Sequence, residues 1–278
     1  MIKNVPGIQA LQLLVIPVLF LISQKIKAQN LPGIQVASLR APLDIKIDGK
    51  LDEWSGKLQA NNHTNRMFYT LSNDDDKLYL TIMMTDGLAI DKLLRGGLQF
   101  TISHTITHKR TNDPDNAIIR YPFVDKKTGD ALTGTLHVFF SYKGNEIKGN
   151  ERYLDSLVIL ENKRVSSLLK EIKVAGLNGI SDTTISIYNT EGLSTALRFG
   201  EKMTCIYELA VPLKCLNLSV NNTVPFSYNI KLLGASSQKI NQNAPPAPVP
   251  ANGEIDHDHE FNVDPTDFWG DYILTKRP

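Results

Sequence analysis

Five consecutive residues near the C-terminus, Asp256-His257-Asp258-His259-Glu260, set two imidazoles among three carboxylates. Imidazole nitrogen with carboxylate oxygen is the donor set of zinc and other divalent transition ions, so Asp256, His257, Asp258 and His259 are candidate metal ligands. They follow a proline-rich stretch ending Val-Pro-Ala-Asn-Gly, and a metal site needs ligands held in place, so a solvated polar loop competes with the metal reading. Asp74, Asp75 and Asp76 could offer oxygens to calcium, although turn preference accounts for the same residues. His104 and His108 fall on one face if their segment is a strand, but four residues of strand span about 13 Å, too far for both to hold one ion.

A second chemistry is the capture of sugar rings, whose apolar C–H faces stack on a flat aromatic while polar neighbours bond the hydroxyls. Two tryptophans, Trp54 and Trp269, are available. Trp54 is expected to pack under the fold. Trp269, with Tyr272 three residues on, is the candidate ligand contact, set against a core role in the last strand. For catalysis the chain shows no Gly-x-Ser-x-Gly elbow, His-Glu-x-x-His pair, phosphate loop or Gly-x-Gly-x-x-Gly turn. Carboxylates abound, but a glycosidase pair must face each other across a substrate, which spacing alone cannot nominate. The reading is therefore non-catalytic.

The elements that would carry these residues are mostly strands. With 42% hydrophobic and 21% charged residues, the 278-residue chain has the composition of a globular protein. Lysine plus arginine (30) balances aspartate plus glutamate (29), so the phosphate backbone of a nucleic acid is not an expected partner. Apolar and polar residues alternate at Ile45 and Ile47, Leu98 to Ile102, Leu136 to Tyr142, Ile185 and Ile187, Met203 to Val211, and Val224 to Leu232, which predicts half-buried strands. Asp48-Gly49, the aspartates after Asn73, Lys143-Gly144-Asn145 and Asn221-Asn222 supply turns between them. Val165, Leu168, Leu169 and Ile172 have helical spacing and predict one inserted helix. Residues 236–264 lack apolar periodicity and read as a flexible, low-complexity loop, after which Phe268 to Leu274 form a closing strand. Cys205 lies on an apolar strand face, and with Cys215 could be either a buried thiol or half of a bridge.

At the N-terminus, Lys3, the apolar run Leu13 to Ile22 and a cleavage point after Ala28 read as a signal peptide over residues 1–28, with an uncleaved anchor as the alternative. The run is short of the roughly 20 apolar residues a span needs and contains Pro17. The expectation is an exported chain, periplasmic or secreted, with no membrane span after cleavage and residues 29–278 forming a single domain.

Four pieces carry a family resemblance: Ile47-Asp48-Gly49-Lys50-Leu51-Asp52-Glu53-Trp54; Asp75 to Leu80 leading to Asp86; Tyr207 to Leu213; and Phe268-Trp269-Gly270-Asp271-Tyr272. In that order they resemble family 9 carbohydrate-binding modules and their DOMON-like relatives, over about residues 45 to 275. The resemblance implies an all-β chain, an antiparallel, jelly-roll-like β-sandwich that binds a saccharide without cleaving it. Sugar-binding members place an aromatic residue shortly after the position of Asp86, where this chain reads Asp91-Lys92-Leu93-Leu94-Arg95-Gly96-Gly97. The alternative is therefore a cell-envelope structural or interaction protein, with a protein partner, that has lost the sugar site.

Overall fold

Alternation along the chain does produce antiparallel strands, and the residues on their apolar faces meet in one interior. The computed structural model describes residues 31–54, 58–106, 115–142, 146–222, 224–234 and 257–277. In chain order the elements are β1 (Ala60–Asn62), β2 (Met67–Asn73), β3 (Lys77–Met84), α1 (Gly87–Gly96), β4 (Leu98–Ser103), β5 (Ala117–Tyr121), α2 (Lys126–Ser141), α3 (Glu151–Leu168), β6 (Glu171–Ala175), β7 (Thr184–Ser186), β8 (Ser194–Phe199), β9 (Cys205–Pro212), β10 (Phe226–Leu232), α4 (His257–Val263) and β11 (Thr266–Tyr272). One sheet runs β1-β2-β3-β9-β8 and the other β11-β10-β4-β5-β6-β7, with every pairing antiparallel.

Leu71, Leu80, Ile82 and Leu209 of the five-stranded sheet and Phe100, Ile119 and Ile230 of the six-stranded sheet are at most 1% exposed. Between the sheets the hydroxyls of Tyr69 and Tyr228 share a 2.9 Å hydrogen bond, and the rings of Tyr121 and Tyr207 lie 6.0 Å apart. Burying these side chains removes apolar area from water at about 25 cal/mol per Å², the main force holding the two sheets together.

The chain is not all-β. Four α-helices lie among the described residues where one was expected. Residues 136–142 correct the strand reading: Leu132, Thr133 and Leu136 are buried and Val138 is exposed, the pattern of a helix face. The Asp125 carboxylate caps that helix by accepting from Thr128 N at 2.7 Å. The expected helix around Val165 exists but lies earlier in the chain, covering Glu151–Leu168, while Ile172 belongs to β6. Ile45 and Ile47 form no strand, and Val224 stands outside β10 and exposed. Of the loop expected at 236–264, His257–Val263 is helical; residues 235–256 lie outside the described residues, as does the expected turn at 143–145.

The helices close what the sheets leave open. Asn162 of α3 donates to Phe199 O at 2.7 Å and accepts from Phe199 N at 2.8 Å, covering the free edge of β8. Satisfied in this way, an edge strand offers less of a template to another chain. Helix α1 is capped by Asp86, which accepts from Ala89 N at 2.9 Å. It buries Lys92 completely, with the ammonium donating to Thr266 Oγ1 at 2.9 Å and standing 4.2 Å from the centre of the Phe261 ring.

Candidate functional site on the outer face of the six-stranded sheet

Because side chains alternate along a strand and paired residues share a face, the registers of the six-stranded sheet assign its outer surface directly. One row runs Asp267, Lys231, Gln99, Arg120, Lys173 across β11, β10, β4, β5 and β6. The next runs Trp269, Asn229, Thr101, Ile118. A third brings Asp271, Ser227 and Ser103 side by side. Trp269 is half-buried, on the face opposite Phe268, Gly270 and Tyr272, which turn into the core.

The small polar residues in the middle of this face, Ser227, Asn229, Thr101 and Ser103, are at most 5% exposed. The row from Asp267 to Lys173 remains within reach of solvent, half-buried at Asp267, Lys231, Gln99 and Arg120 and exposed at Lys173. Neighbours fix both carboxylates of β11: Asp267 accepts from Asn229 Nδ2 at 2.8 Å, and Asp271 from Ser227 Oγ at 2.7 Å. Gly96 O receives two hydrogen bonds from the Arg120 guanidinium, at 3.1 and 2.6 Å. Lys173 Nζ lies 4.0 Å from the centre of the Phe123 ring. A flat indole beside oriented carboxylate acceptors and ammonium and amide donors can hold a ring that is apolar on its faces and hydroxylated at its edge. Asp267 and Asp271 are separated by four residues of strand, about 13 Å, which does not suit a glycosidase pair.

The other sequence-predicted residues are dispersed. Tyr272 is 3% exposed, and its hydroxyl donates to Leu39 O at 2.8 Å while Leu39 N donates back at 3.1 Å, so its ring is a core element with no free face for a sugar. Trp54 is 6% exposed. Asp256 lies outside the described residues. His257, Asp258 and His259 open α4, where consecutive residues point about 100° apart and do not converge on one ion. Asp258 instead bonds Arg66 at 2.8 Å, and His257 approaches Glu260 at 3.5 Å. The Asp74 carboxylate accepts from Asp76 N, Lys77 N and the Tyr79 hydroxyl, at 2.8, 2.6 and 2.5 Å, while Asp75 pairs with Arg40 and Arg277. Those aspartates shape the β2–β3 hairpin. Among the described residues no group of three His, Cys, Asp or Glu could hold a metal ion. His104 is exposed, and His108 lies outside the described residues. Cys205 and Cys215 are both buried free thiols.

Asp267, Lys231, Gln99 and Arg120 were not singled out from the sequence as site residues. Their signal was present in the polar half of each alternating strand, but nothing local says that β11, β10, β4 and β5 are neighbours. A separate open cleft of about 480 Å³ between Asp75–Lys77, Thr190–Gly192 and Pro212–Leu213 mixes Lys77 and Lys214 with Asp76 and Glu191 and has no aromatic wall. No helix among the described residues is long and apolar enough to cross a membrane. Compared with known proteins, the chain matches no protein-family model and no curated protein.

Proposed function

We propose that the chain is a non-catalytic, exported carbohydrate-binding protein, periplasmic or secreted, whose two sheets form a jelly-roll-like sandwich of the family 9 carbohydrate-binding kind. The observation that carries the reading is Trp269, half-buried on a polar sheet face beside Asp267, Asn229 and Lys231 rather than in the core. The saccharide stacks on the indole, gives hydroxyl protons to Asp267 and accepts from Lys231 and Gln99. Glycan-array screening followed by titration tests it. Trp269→Ala weakens binding at least about tenfold, equal to about 1.4 kcal/mol, and the ligand quenches the fluorescence of wild type but not of Trp269→Phe. Absence of any glycan ligand, or full affinity in Trp269→Ala, overturns the reading.

A second reading, an envelope protein that binds another protein, is favoured by a different surface. Tyr153, Ile159, Leu160 and Leu168 of α3 and Val138 of α2 are exposed, Ile159 at 70%. Apolar residues gathered on one pair of helices mark an interaction surface more often than residues scattered singly do.

A further inference from the structure

The outer face of the five-stranded sheet is covered by the segment that opens the family-like pattern, and the cover is held by an unusual contact. Glu208 of β9 is fully buried, and its Oε2 accepts from the backbone N–H groups of Asp48 and Gly49 at 2.9 and 2.8 Å. Its other oxygen, Oε1, is buried without a hydrogen-bond partner, and so are Asp48 Oδ1 and Glu53 Oε2. Buried polar atoms are nearly always paired, because each orphan retains its full cost of desolvation. Three orphan acceptors from three acids around one segment form an arrangement that lacks a donor.

The donors among the described residues do not bond these oxygens. Thr81 of β3 and Ala196 of β8 flank Glu208 in register, and the Thr81 hydroxyl is itself unpaired. Trp54 Nε1 is also without a partner. Lys50 reaches only the outer oxygen of Asp48, Oδ2, at 3.4 Å, and is 44% exposed. Arg198 of β8 passes its Cβ beside Gly49 and is exposed. Among the described residues neither Glu53 nor Glu208 has an ion-pair partner, and no three acids could hold a metal ion.

We propose that Asp48–Trp54 is a proton-operated clasp, closed on the five-stranded sheet while Glu208 holds a proton and loosened when Glu208 is ionised. A proton on Glu208 turns its unpaired Oε1 from an acceptor into a donor and removes a charge that Asp48 and Glu53 repel. Burial first, and then the charges of Asp48 and Glu53, push the Glu208 carboxyl up to about 7, against the two backbone donors that pull it down. A carboxyl raised in the folded state binds its proton more tightly there than in the open chain. The clasp is thus most stable below the ordinary range near 4.5 and weakens as pH rises to about 7.

The test does not depend on any saccharide. In a Trp269→Phe background Trp54 is the sole tryptophan, and its emission is followed from pH 5.5 to 8.5 together with amide exchange at Gly49. The expected result is a red shift with its midpoint near pH 7 and roughly tenfold loss of Gly49 protection beyond the intrinsic base-catalysed rise. Glu208→Gln removes the step. Glu53→Gln, which deletes one repelling charge from a half-buried position, keeps the step but moves its midpoint down by about half a pH unit. A flat profile in wild type, a step that survives Glu208→Gln, or an unmoved midpoint in Glu53→Gln overturns the proposal. So does closure by millimolar calcium at pH 8.5 in wild type alone, which would assign the orphan oxygens to a cation.

Discussion

Gly96→Ala is expected to cost at least about 4 kcal/mol of stability, a large part of the 5–15 kcal/mol typical of a folded domain. Gly96 ends α1 where the helix crosses the end of β10. A methyl group there would sit 1.1 Å from the carbonyl oxygen of Leu233 and 3.0 Å from that of Gly234. Neither atom can step aside, because both are backbone. Leu233 N donates to Gly97 O at 3.0 Å, and the Gly96 carbonyl is held by Arg120, so the crossing is tied on both sides. The control is Gly134→Ala in the middle of α2, where the added carbon meets nothing within 4 Å. Helix propensity then acts alone, and the substitution stabilises by roughly 0.5–1 kcal/mol. Denaturant unfolding of both variants reads the contrast. Equal and small effects would mean that the α1–β10 crossing yields more easily than its geometry states.

Glu161→Met is expected to stabilise the protein by about 3 kcal/mol at pH 8. Glu161 lies on α3 with no exposed surface, and neither carboxylate oxygen has a hydrogen-bond partner. Arg164 approaches only to 3.9 Å, and its guanidinium is already committed to Thr135 Oγ1 and Ala131 O. Burial pushes the Glu161 carboxyl up to about 7. Because the folded-state value is raised, stability is lost as pH climbs from the ordinary range near 4.5 to about 7, and the full penalty is present above it. Methionine matches the length of glutamate, adapts to irregular space and removes the buried charge. Urea midpoints at pH 5 and pH 8 separate the terms: the gain should be large at pH 8 and small at pH 5, where the native glutamate is already protonated. Part of the wild-type pH dependence should survive in Glu161→Met, since Glu208 titrates over the same window in the same direction. A variant no more stable than wild type at pH 8 would contradict the assignment of Glu161 as a buried acid whose oxygens lack a hydrogen-bond partner.

Period-two alternation was enough to find β4, β9 and β10, because a strand with one face in the core must repeat its apolar side chains every second residue whatever it pairs with, and β11 was marked by its aromatic residues. The Asn73–Asp76 turn was legible for a similarly local reason, since the Asp74 side chain bonds the backbone two and three residues on. Residues 132–142 satisfy two periods at once. Leu136, Val138 and Phe140 alternate, while Leu132 and Leu136 stand a helical turn apart, and the choice fell to the Asp125 cap and to packing against α1 and α3. Short apolar runs leave that choice to context.

The candidate site divides along the same line. Sequence alone singled out Trp269 as the aromatic that could meet a ligand, and it determined that Ser227, Asn229 and Lys231 share a face. Only the tertiary structure decided that Asp267 lies beside Lys231, that Gln99 and Arg120 extend the same row, and that Tyr272 belongs to the core. The reason is physical: which face a side chain takes follows from its own strand, whereas its neighbours across the sheet depend on pairings between separate segments, Lys231 with Gln99 across more than a hundred residues, and those are settled by burial of the whole core.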